Sequence, residues 1–219
     1  MITLMQNRDE QRTVDGVMRR ATKNVALFML VISSVGLVSF STYAATDTDT
    51  TIITATINSV ISVASATSAV ALNVTPVTGG SQSSASDVVT VATNNATGFN
   101  LKLGSSDATT TLTKGSDTIA AHSGTQASPT ALANNRWGYR VDGTGGFGAG
   151  PTTTPLNNVT SSAETYAGIS PSASAQTLKT TAVPTASNVT TVWYSVKVDP
   201  TITSGDYTET VTYTATTNP

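Results

Sequence analysis

The sequence predicts an all-β fold, an antiparallel β-sandwich that is preceded by an N-terminal hydrophobic signal helix. Apolar and polar residues alternate with a period of two in several short stretches. This is strand periodicity, because successive side chains point to opposite faces of a sheet. Gly, Pro, Asn and Asp cluster between these stretches and predict turns. No amphipathic helical pattern occurs after residue 45, where the abundant Thr, Ser, Val, Gly and Asn are poor helix formers.

The first 45 residues predict a signal peptide. A basic flank over residues 1–24 precedes an apolar run over residues 25–40, and small residues then lead to Ala45. A charged region, an apolar region and a small-residue site in this order describe a secretory leader, with cleavage after Ala44 or Ala45. The alternative is a retained signal anchor, which reaches membrane-spanning length only if residues 41–45 are included. Both interpretations place residues 46–219 outside the cell, in the medium or at the cell surface.

Charge and cysteine content exclude several kinds of partner and chemistry. Charged residues make up 11% of the chain, and residues 46–219 hold six basic and ten acidic ones. Nucleic-acid binding requires clustered Lys and Arg, so we expect no nucleic-acid partner, and membrane contact only through the N-terminal segment. The chain has no cysteine, which excludes disulfides, thiolate catalysis and cysteine-ligated zinc. Stability must then come from the core and from strand pairing.

The exported part begins with a lead-in, residues 46–63. Thr46–Thr50 predicts a flexible start, and residues 52–63 have a strand pattern in which Ile53, Ala55 and Ile57 fall on one face. Sheet edges are templates for strand pairing. The lead-in is therefore a candidate donor strand for another subunit.

A further strand and a hairpin are predicted after the lead-in. Residues 69–74 predict a strand that ends before a proline, and the Gly- and Ser-rich residues 79–86 predict a polar loop. Residues 87–92 and 98–103 predict the two strands of one hairpin. The connection between them is rich in Asn, which tolerates positive φ in turns.

The middle of the chain predicts a tryptophan-containing strand and a long loop. Residues 137–141 place Trp137, Tyr139 and Val141 on one face of a strand. Residues 142–158 contain five glycines and two prolines and predict a long loop, and such loops in compact domains are often functional. Weaker strand patterns occur at residues 109–113, 119–121, 164–169 and 176–181.

The C-terminal end carries the strongest strand pattern. Alternate residues of Val192–Val198 form an apolar face, and the apolar residues of Tyr207–Ala215 alternate with threonine. Pro200 and the pair Gly205-Asp206 favour a turn between these limbs. We therefore expect the two limbs to form a hairpin at the centre of the sandwich.

The exported part is predicted to be a single domain, residues 46–219. A two-domain alternative would split the chain near residues 123–135. Neither half contains enough large apolar residues for its own core, so the single domain is preferred.

The candidate ligand contacts are Trp193, Phe147 and Asp142. Trp193 points away from the valine face of its strand, and an exposed indole ring can stack on a sugar. Phe147 and Asp142 belong to the long loop of residues 142–158. For Tyr139, Tyr194 and Tyr213 the core of the sandwich is the preferred prediction.

No catalytic, cofactor-binding or metal-binding residues are predicted. The spacing Gly143-x-Gly145-x-x-Gly148 is followed by Pro151 and threonines, whereas a dinucleotide site requires a helix there. His122 is the single histidine, and no Gly-x-Ser-x-Gly elbow accompanies it. No pair of carboxylates stands out for glycoside hydrolysis. We expect a protein that is not an enzyme and needs no cofactor, with a secreted hydrolase as the remaining alternative.

Residues 91–103 and 192–213 resemble a known group of proteins. The ending Gly205-Asp-Tyr-Thr-Glu-Thr-Val-Thr-Tyr213 resembles the last strand of bacterial secreted β-sandwich modules, such as WxL-type wall-binding domains and coat- or pilin-like domains. This resemblance implies a surface protein with an Ig-like sandwich. The Trp-x-Leu signature is absent, and the leader lacks the small residue and the glutamate that type IV pilins use.

These observations together predict an exported, non-enzymatic structural or adhesive protein of the cell surface. Its partners would be other surface subunits, joined by strand addition at a sheet edge. The alternative is a carbohydrate- or cell-wall-binding module that contacts cell-wall glycan through Trp193 and the loop of residues 142–158.

Overall fold

The computed structural model describes residues 46–149 and 153–219. The chain divides into two units, residues 1–54 and residues 55–219, and every described strand lies in the second unit. The predicted signal peptide, residues 1–45, lies outside the described residues. Among the residues that are described, no helix is long and apolar enough to cross a membrane.

Eleven β-strands and one 3₁₀ turn, Ser172–Ser174, make up the regular structure of the described residues. In chain order the strands are β1 (Ile61–Ser65), β2 (Ser81–Thr93), β3 (Phe99–Ser105), β4 (Leu112–Lys114), β5 (Asp117–Ala121), β6 (Thr130–Ala131), β7 (Arg136–Arg140), β8 (Thr165–Tyr166), β9 (Gln176–Thr180), β10 (Thr185–Val198) and β11 (Val211–Thr217).

The strands form two main sheets and a small third one. The larger sheet has the order β1-β2-β10-β7-β5-β4, the smaller has the order β11-β3-β9, and β6 pairs with β8. Neighbouring strands are antiparallel except β5 and β7, which are parallel. The two longest strands, β2 and β10, form the centre of the larger sheet. Their ladder runs from Ser81 opposite Val198 to Thr93 opposite Thr185.

One apolar core joins the inner faces of the two main sheets. Val89 and Val91 of β2 and Val192 of β10 contribute to it from the larger sheet, and Phe99 and Leu101 of β3 contribute from the smaller one. All five side chains are fully buried, and full burial of one such side chain contributes about 1.5–3 kcal/mol. The predicted all-β fold is confirmed, and two antiparallel sheets with a shared core are consistent with the predicted β-sandwich.

The predicted C-terminal hairpin is wrong. Its first limb is part of β10 in the larger sheet, whereas its second limb contains β11 in the smaller sheet. The connection between them crosses the sandwich, and the hydroxyls of Tyr194 and Tyr213 meet 2.7 Å apart where the two sheets face each other. A period of two shows which side chains share a face, but a hairpin and a crossing connection use the same turn residues.

The predicted hairpin of residues 87–92 and 98–103 is wrong for the same reason. β2 belongs to the larger sheet and β3 to the smaller one, so the turn between them also carries the chain across the core. Asn95 closes this turn by accepting a hydrogen bond from the Gly98 amide and by donating its own side-chain amide to Asn218. The faces of both strands were predicted correctly, because their apolar residues point into the core.

The structure also corrects the predictions for the first part of the chain after residue 45. Within the predicted strand of residues 52–63 only the last residues enter β1, and residues 69–74 form no strand although Val70, Leu72 and Val74 pack against the core. The predicted polar loop of residues 79–86 mostly belongs to β2.

The buried serines of β2 have hydrogen-bond partners in a neighbouring segment. The backbone amide of Leu156 donates to Ser84 Oγ over 2.8 Å, and Gln82 and Val159 exchange two backbone hydrogen bonds. Serine is seldom buried in a strand, because burying a serine side chain is favourable only when its hydroxyl is hydrogen-bonded. The segment Leu156–Val159 therefore covers the half of the β2 edge that β1 leaves open.

Candidate functional site

A cavity of about 600 Å³ lies beside the first half of β10. The turn after β7, Val141–Thr144, forms one wall, β9 forms another, and Val189–Thr191 and Trp193 of β10 form the third. Its volume lies within the range of about 300–1,000 Å³ typical of ligand sites. The cavity brings together two of the three predicted contact residues, Trp193 and Asp142.

Trp193 forms part of the wall of this cavity. It lies opposite Arg140 of β7 and Ser86 of β2 in the ladder, on the face that alternates with the core face of Val192 and Tyr194. The ring is half-buried, and it does not belong to the core cluster of the described residues. The prediction that Trp193 points away from the valine face is confirmed.

Asp142 is held rigidly at the rim of the cavity by a buried charge cluster. Its Oδ1 accepts from Arg140 Nε and from Thr153 Oγ1, each over 2.6 Å, and its Oδ2 accepts from the Thr153 amide over 3.0 Å. Arg140 Nε also lies 2.9 Å from Glu164 Oε2. Removing one partner from a buried charge pair costs about 3–5 kcal/mol, so this cluster fixes the turn after β7.

Phe147 lies in the core and not in the cavity wall. It is 3% exposed, its ring contacts Tyr139 edge-on at 5.8 Å between centroids, and the guanidinium of Arg140 lies 5.9 Å from its centroid. The turn that carries it is closed by the Gly143 amide, which donates to the Gly148 carbonyl. The role of Phe147 in the structure is to anchor this turn against the core.

Thr190 is a site residue that the sequence did not single out, and the nearby Asn188 lies outside the cavity lining. Thr190 is 7% exposed and lines the cavity. Among the described residues, its hydroxyl and the side-chain oxygen of Asn188 have no hydrogen-bond partner although both atoms are buried. A buried polar atom without a partner costs about 1–3 kcal/mol, so the Thr190 hydroxyl favours a ligand or a water in the cavity. Neither residue differs in sequence from the many other Thr and Asn residues of the chain.

The cavity lies along an open strand edge. β7 pairs with β10 only from Trp193 to Lys197, so Thr185–Val192 has no partner strand on that side within the described part of the chain. Across the cavity, Lys179 of β9 donates its ammonium group to the Val189 carbonyl over 3.3 Å. The cavity therefore offers exposed backbone groups together with apolar and hydroxyl-bearing walls.

No family model, curated protein or solved structure matches this chain. The resemblance to WxL-type and pilin-like modules stays a prediction.

His122 lies away from the cavity, in a buried position after β5. Its Nε2 lies 2.8 Å from Thr130 Oγ1, and burial lowers the pKa of His122 below its usual value. Asp117, the carboxylate considered with it, contacts Lys114 Nζ at 3.1 Å and accepts from Thr203. In the described ranges, no group of three or more His, Cys, Asp or Glu residues could hold a metal ion.

Proposed function

We propose that the protein is an exported, non-enzymatic structural or adhesive protein of the cell surface, with an Ig-like sandwich, whose copies join by strand addition. Residues 1–45 serve as its export signal. The donor segment, residues 51–60, is the part of the lead-in that pairs with a sheet edge of another copy.

The exposure of the donor segment carries this proposal. Ile52, Ile53 and Ile57 are 89%, 90% and 85% exposed, and Val60 is 63% exposed. Residues 51–60 lie outside every strand and helix. Isoleucine is among the residues most often buried in proteins, so four large β-branched side chains exposed within ten residues indicate a surface that a partner covers.

The composition of the donor segment suits a strand. Its residues are Thr, Ile, Ala, Asn, Ser and Val, without charge, proline or glycine. β-Branched residues favour strands, and main-chain hydrogen bonds give affinity when a strand is added to an edge. Burial of Ile53 and Ile57 would contribute about 3–6 kcal/mol. Association costs about 4–15 kcal/mol, so backbone pairing must supply the rest and assembly must depend on concentration.

Two matched variants test the role of the donor segment. The chain, expressed from its full sequence, is compared with I53D/I57D and with T54D/T56D, which add the same charge to opposite faces of the segment. All four residues are exposed, so we expect the free energy of unfolding to change by less than about 0.5 kcal/mol.

The measurement is sedimentation velocity over a range of protein concentrations. We expect the wild type and T54D/T56D to form oligomers that grow with concentration, and I53D/I57D to stay monomeric. A wild type that is monomeric at all concentrations, or an I53D/I57D protein that assembles like the wild type, would refute the proposal.

The second candidate function is binding of cell-wall carbohydrate in the cavity. A half-buried indole beside several threonine hydroxyls and the carboxylate of Asp142 favours it, because sugars combine an apolar face with many hydroxyls. Pelleting with purified cell wall tests it. We expect Trp193→Ala to lose pelleting and Trp193→Phe, which keeps an aromatic ring, to retain part of it. A wild type that does not pellet would exclude this function.

A further inference from the structure

We infer that the open edge of β10, Thr185–Val192, is the acceptor for the donor segment of a second copy of this chain, and that the adjoining cavity receives the isoleucine side chains. This inference rests on the proposed strand addition and names the site where it occurs.

The pairing of the central strands singles out this edge. Where β1 does not reach along β2, the segment Leu156–Val159 hydrogen-bonds to the exposed half of that strand. On the edge of β10 that faces away from β2, β7 pairs with the second half of the strand, and no described segment pairs with the first half. One inner strand of the sheet therefore keeps an eight-residue edge that can accept a strand, and strands are usually about five or six residues long.

The backbone groups on this edge have the correct orientation. In an antiparallel strand the amide and carbonyl of one residue point to the same side, and those of the next residue point to the other side. The Val189 carbonyl accepts from Lys179 across the cavity, so it points away from β2. The backbone amide and carbonyl of Thr191, two residues later, point to the same side. An incoming strand would find an acceptor and donors at alternate residues.

The cavity provides a place for the side chains of that strand. Val189 and Trp193 lie on the same face of β10 and supply apolar surface for isoleucine. Peptides that add a strand to a sheet gain specificity from pockets for alternate side chains. Ile53 and Ile57 fall on the same face of such a strand.

Lys179 is the charged residue that contacts this edge. Lysines at strand edges oppose indiscriminate strand pairing, and here the ammonium group donates a hydrogen bond to the Val189 carbonyl. An incoming strand would displace it. The lead-in carries Asp47 and Asp49 before the donor segment, which provides opposite charge for the displaced ammonium group. A partner without acidic residues would lack this compensation.

The donor segment and the acceptor edge are two different segments of the chain. A contact between two different patches is heterologous, and repetition of such a contact produces an open chain of subunits unless the rotation closes a ring. A strand-addition mechanism of this kind predicts that each copy can donate once and accept once.

Cysteine cross-linking tests the site, because the chain contains no natural cysteine. Ile53→Cys is combined in one chain with Val189→Cys at the proposed edge, or with Val63→Cys on β1 at the outer edge of the same sheet. The three side chains are 90%, 52% and 40% exposed, so none of these substitutions removes a core contact. After mild oxidation we expect a ladder of disulfide-linked oligomers for I53C/V189C and monomers for I53C/V63C.

A complementation experiment checks the same site without cysteine. Thr191→Pro removes the amide that points to the cavity and keeps the ladder to β2, whereas Thr191→Ala keeps the amide. We expect T191P to weaken self-association at least about tenfold, as for the loss of one buried hydrogen bond, and T191A to have little effect. T191P keeps its donor segment and I53D/I57D keeps its acceptor edge, so their mixture should form dimers and nothing larger.

The outcomes separate the acceptor site from the proposed function. Ladders in I53C/V63C but not in I53C/V189C would move the acceptor to β1 and overturn this inference, while strand addition would survive. Disulfides confined to single chains would show that the segment folds back on its own copy, which also overturns it. Unchanged assembly of I53D/I57D would refute the proposed function itself. Cell-wall pelleting that requires Trp193, with no cross-linking at Val189, would assign the cavity to carbohydrate.

Discussion

The hydrogen bond between Tyr194 and Tyr213 joins the two sheets across the core. The two hydroxyls are 2.7 Å apart, and Tyr194 is 5% exposed. Burial raises the pKa of both phenols, so both are neutral at pH 7 and one donates to the other. Tyr194→Phe and Tyr213→Phe each delete one oxygen and leave the aromatic ring in place.

The two substitutions should be strongly coupled. We expect each single variant to lose about 1–3 kcal/mol of free energy of unfolding, because the remaining hydroxyl loses its partner in a largely buried place. In Y194F/Y213F no hydroxyl remains without a partner, so the loss should not exceed that of the larger single variant. The coupling energy should be about 1 kcal/mol or more. For a domain of this size, 1 kcal/mol corresponds to about 2–4 °C in Tm.

Urea unfolding followed by tryptophan fluorescence gives the four free energies of the cycle. Tyr207→Phe is the control, since its hydroxyl contacts Thr203 in an exposed position and its loss should cost less than about 0.5 kcal/mol. Additive losses from Y194F and Y213F would show that the two hydroxyls do not meet. Such a result would refute the placement of β10 and β11 in facing sheets.

Three further predictions concern stability. Arg140→Met should lose about 3–5 kcal/mol in urea unfolding, because the carboxylates of Asp142 and Glu164, which are 10% and 20% exposed, then lie together without the guanidinium. A loss below about 1 kcal/mol would contradict this. Burial raises the pKa of Tyr139 in the folded state. The neutral phenol therefore contributes fully to the free energy of unfolding below about pH 10, and this contribution decreases as the pH rises further. A Tm that does not fall between about pH 9 and pH 11 would contradict this. Gly98→Ala should destabilise more than Gly143→Ala in thermal unfolding, because both have positive φ but a Cβ at Gly98 would lie 2.4 Å from the Thr181 carbonyl, whereas nothing lies within 4 Å at Gly143.

The all-β class and the faces of the main strands could be predicted from the sequence, and the partners of the strands could not. Alternation in Val192–Val198 assigns side chains to faces, because the period of a strand is a local property. Pairing is decided by packing between distant segments. The turns after β2 and β10 use the same Asn, Gly and Pro residues that a hairpin would use, and the core requires both turns to cross between sheets.

The candidate site was predicted in part. The face on which Trp193 lies follows from its alternation with Val192 and Tyr194 along β10, which is a property of the local sequence. The burial of Phe147 does not follow in this way, because it depends on a long loop that folds back against Tyr139. The unsatisfied hydroxyl of Thr190 gives no sequence signal in a chain so rich in threonine. Its significance comes from the missing partner strand beside it.

The pairing of β2 with β10 has a consequence for the order in which the chain folds. Ser81 lies opposite Val198, so the central ladder joins segments separated by roughly half of the chain. Contacts of such high sequence separation form slowly, because a large loop must close before they yield any stabilisation. During that time β2 is without its main neighbour. Its first half is Ser-Gln-Ser-Ser-Ala-Ser, which has little of the hydrophobicity that drives aggregation of unpaired strands. We therefore expect the serines that are buried in the finished sheet to oppose aggregation of β2 until β10 pairs with it.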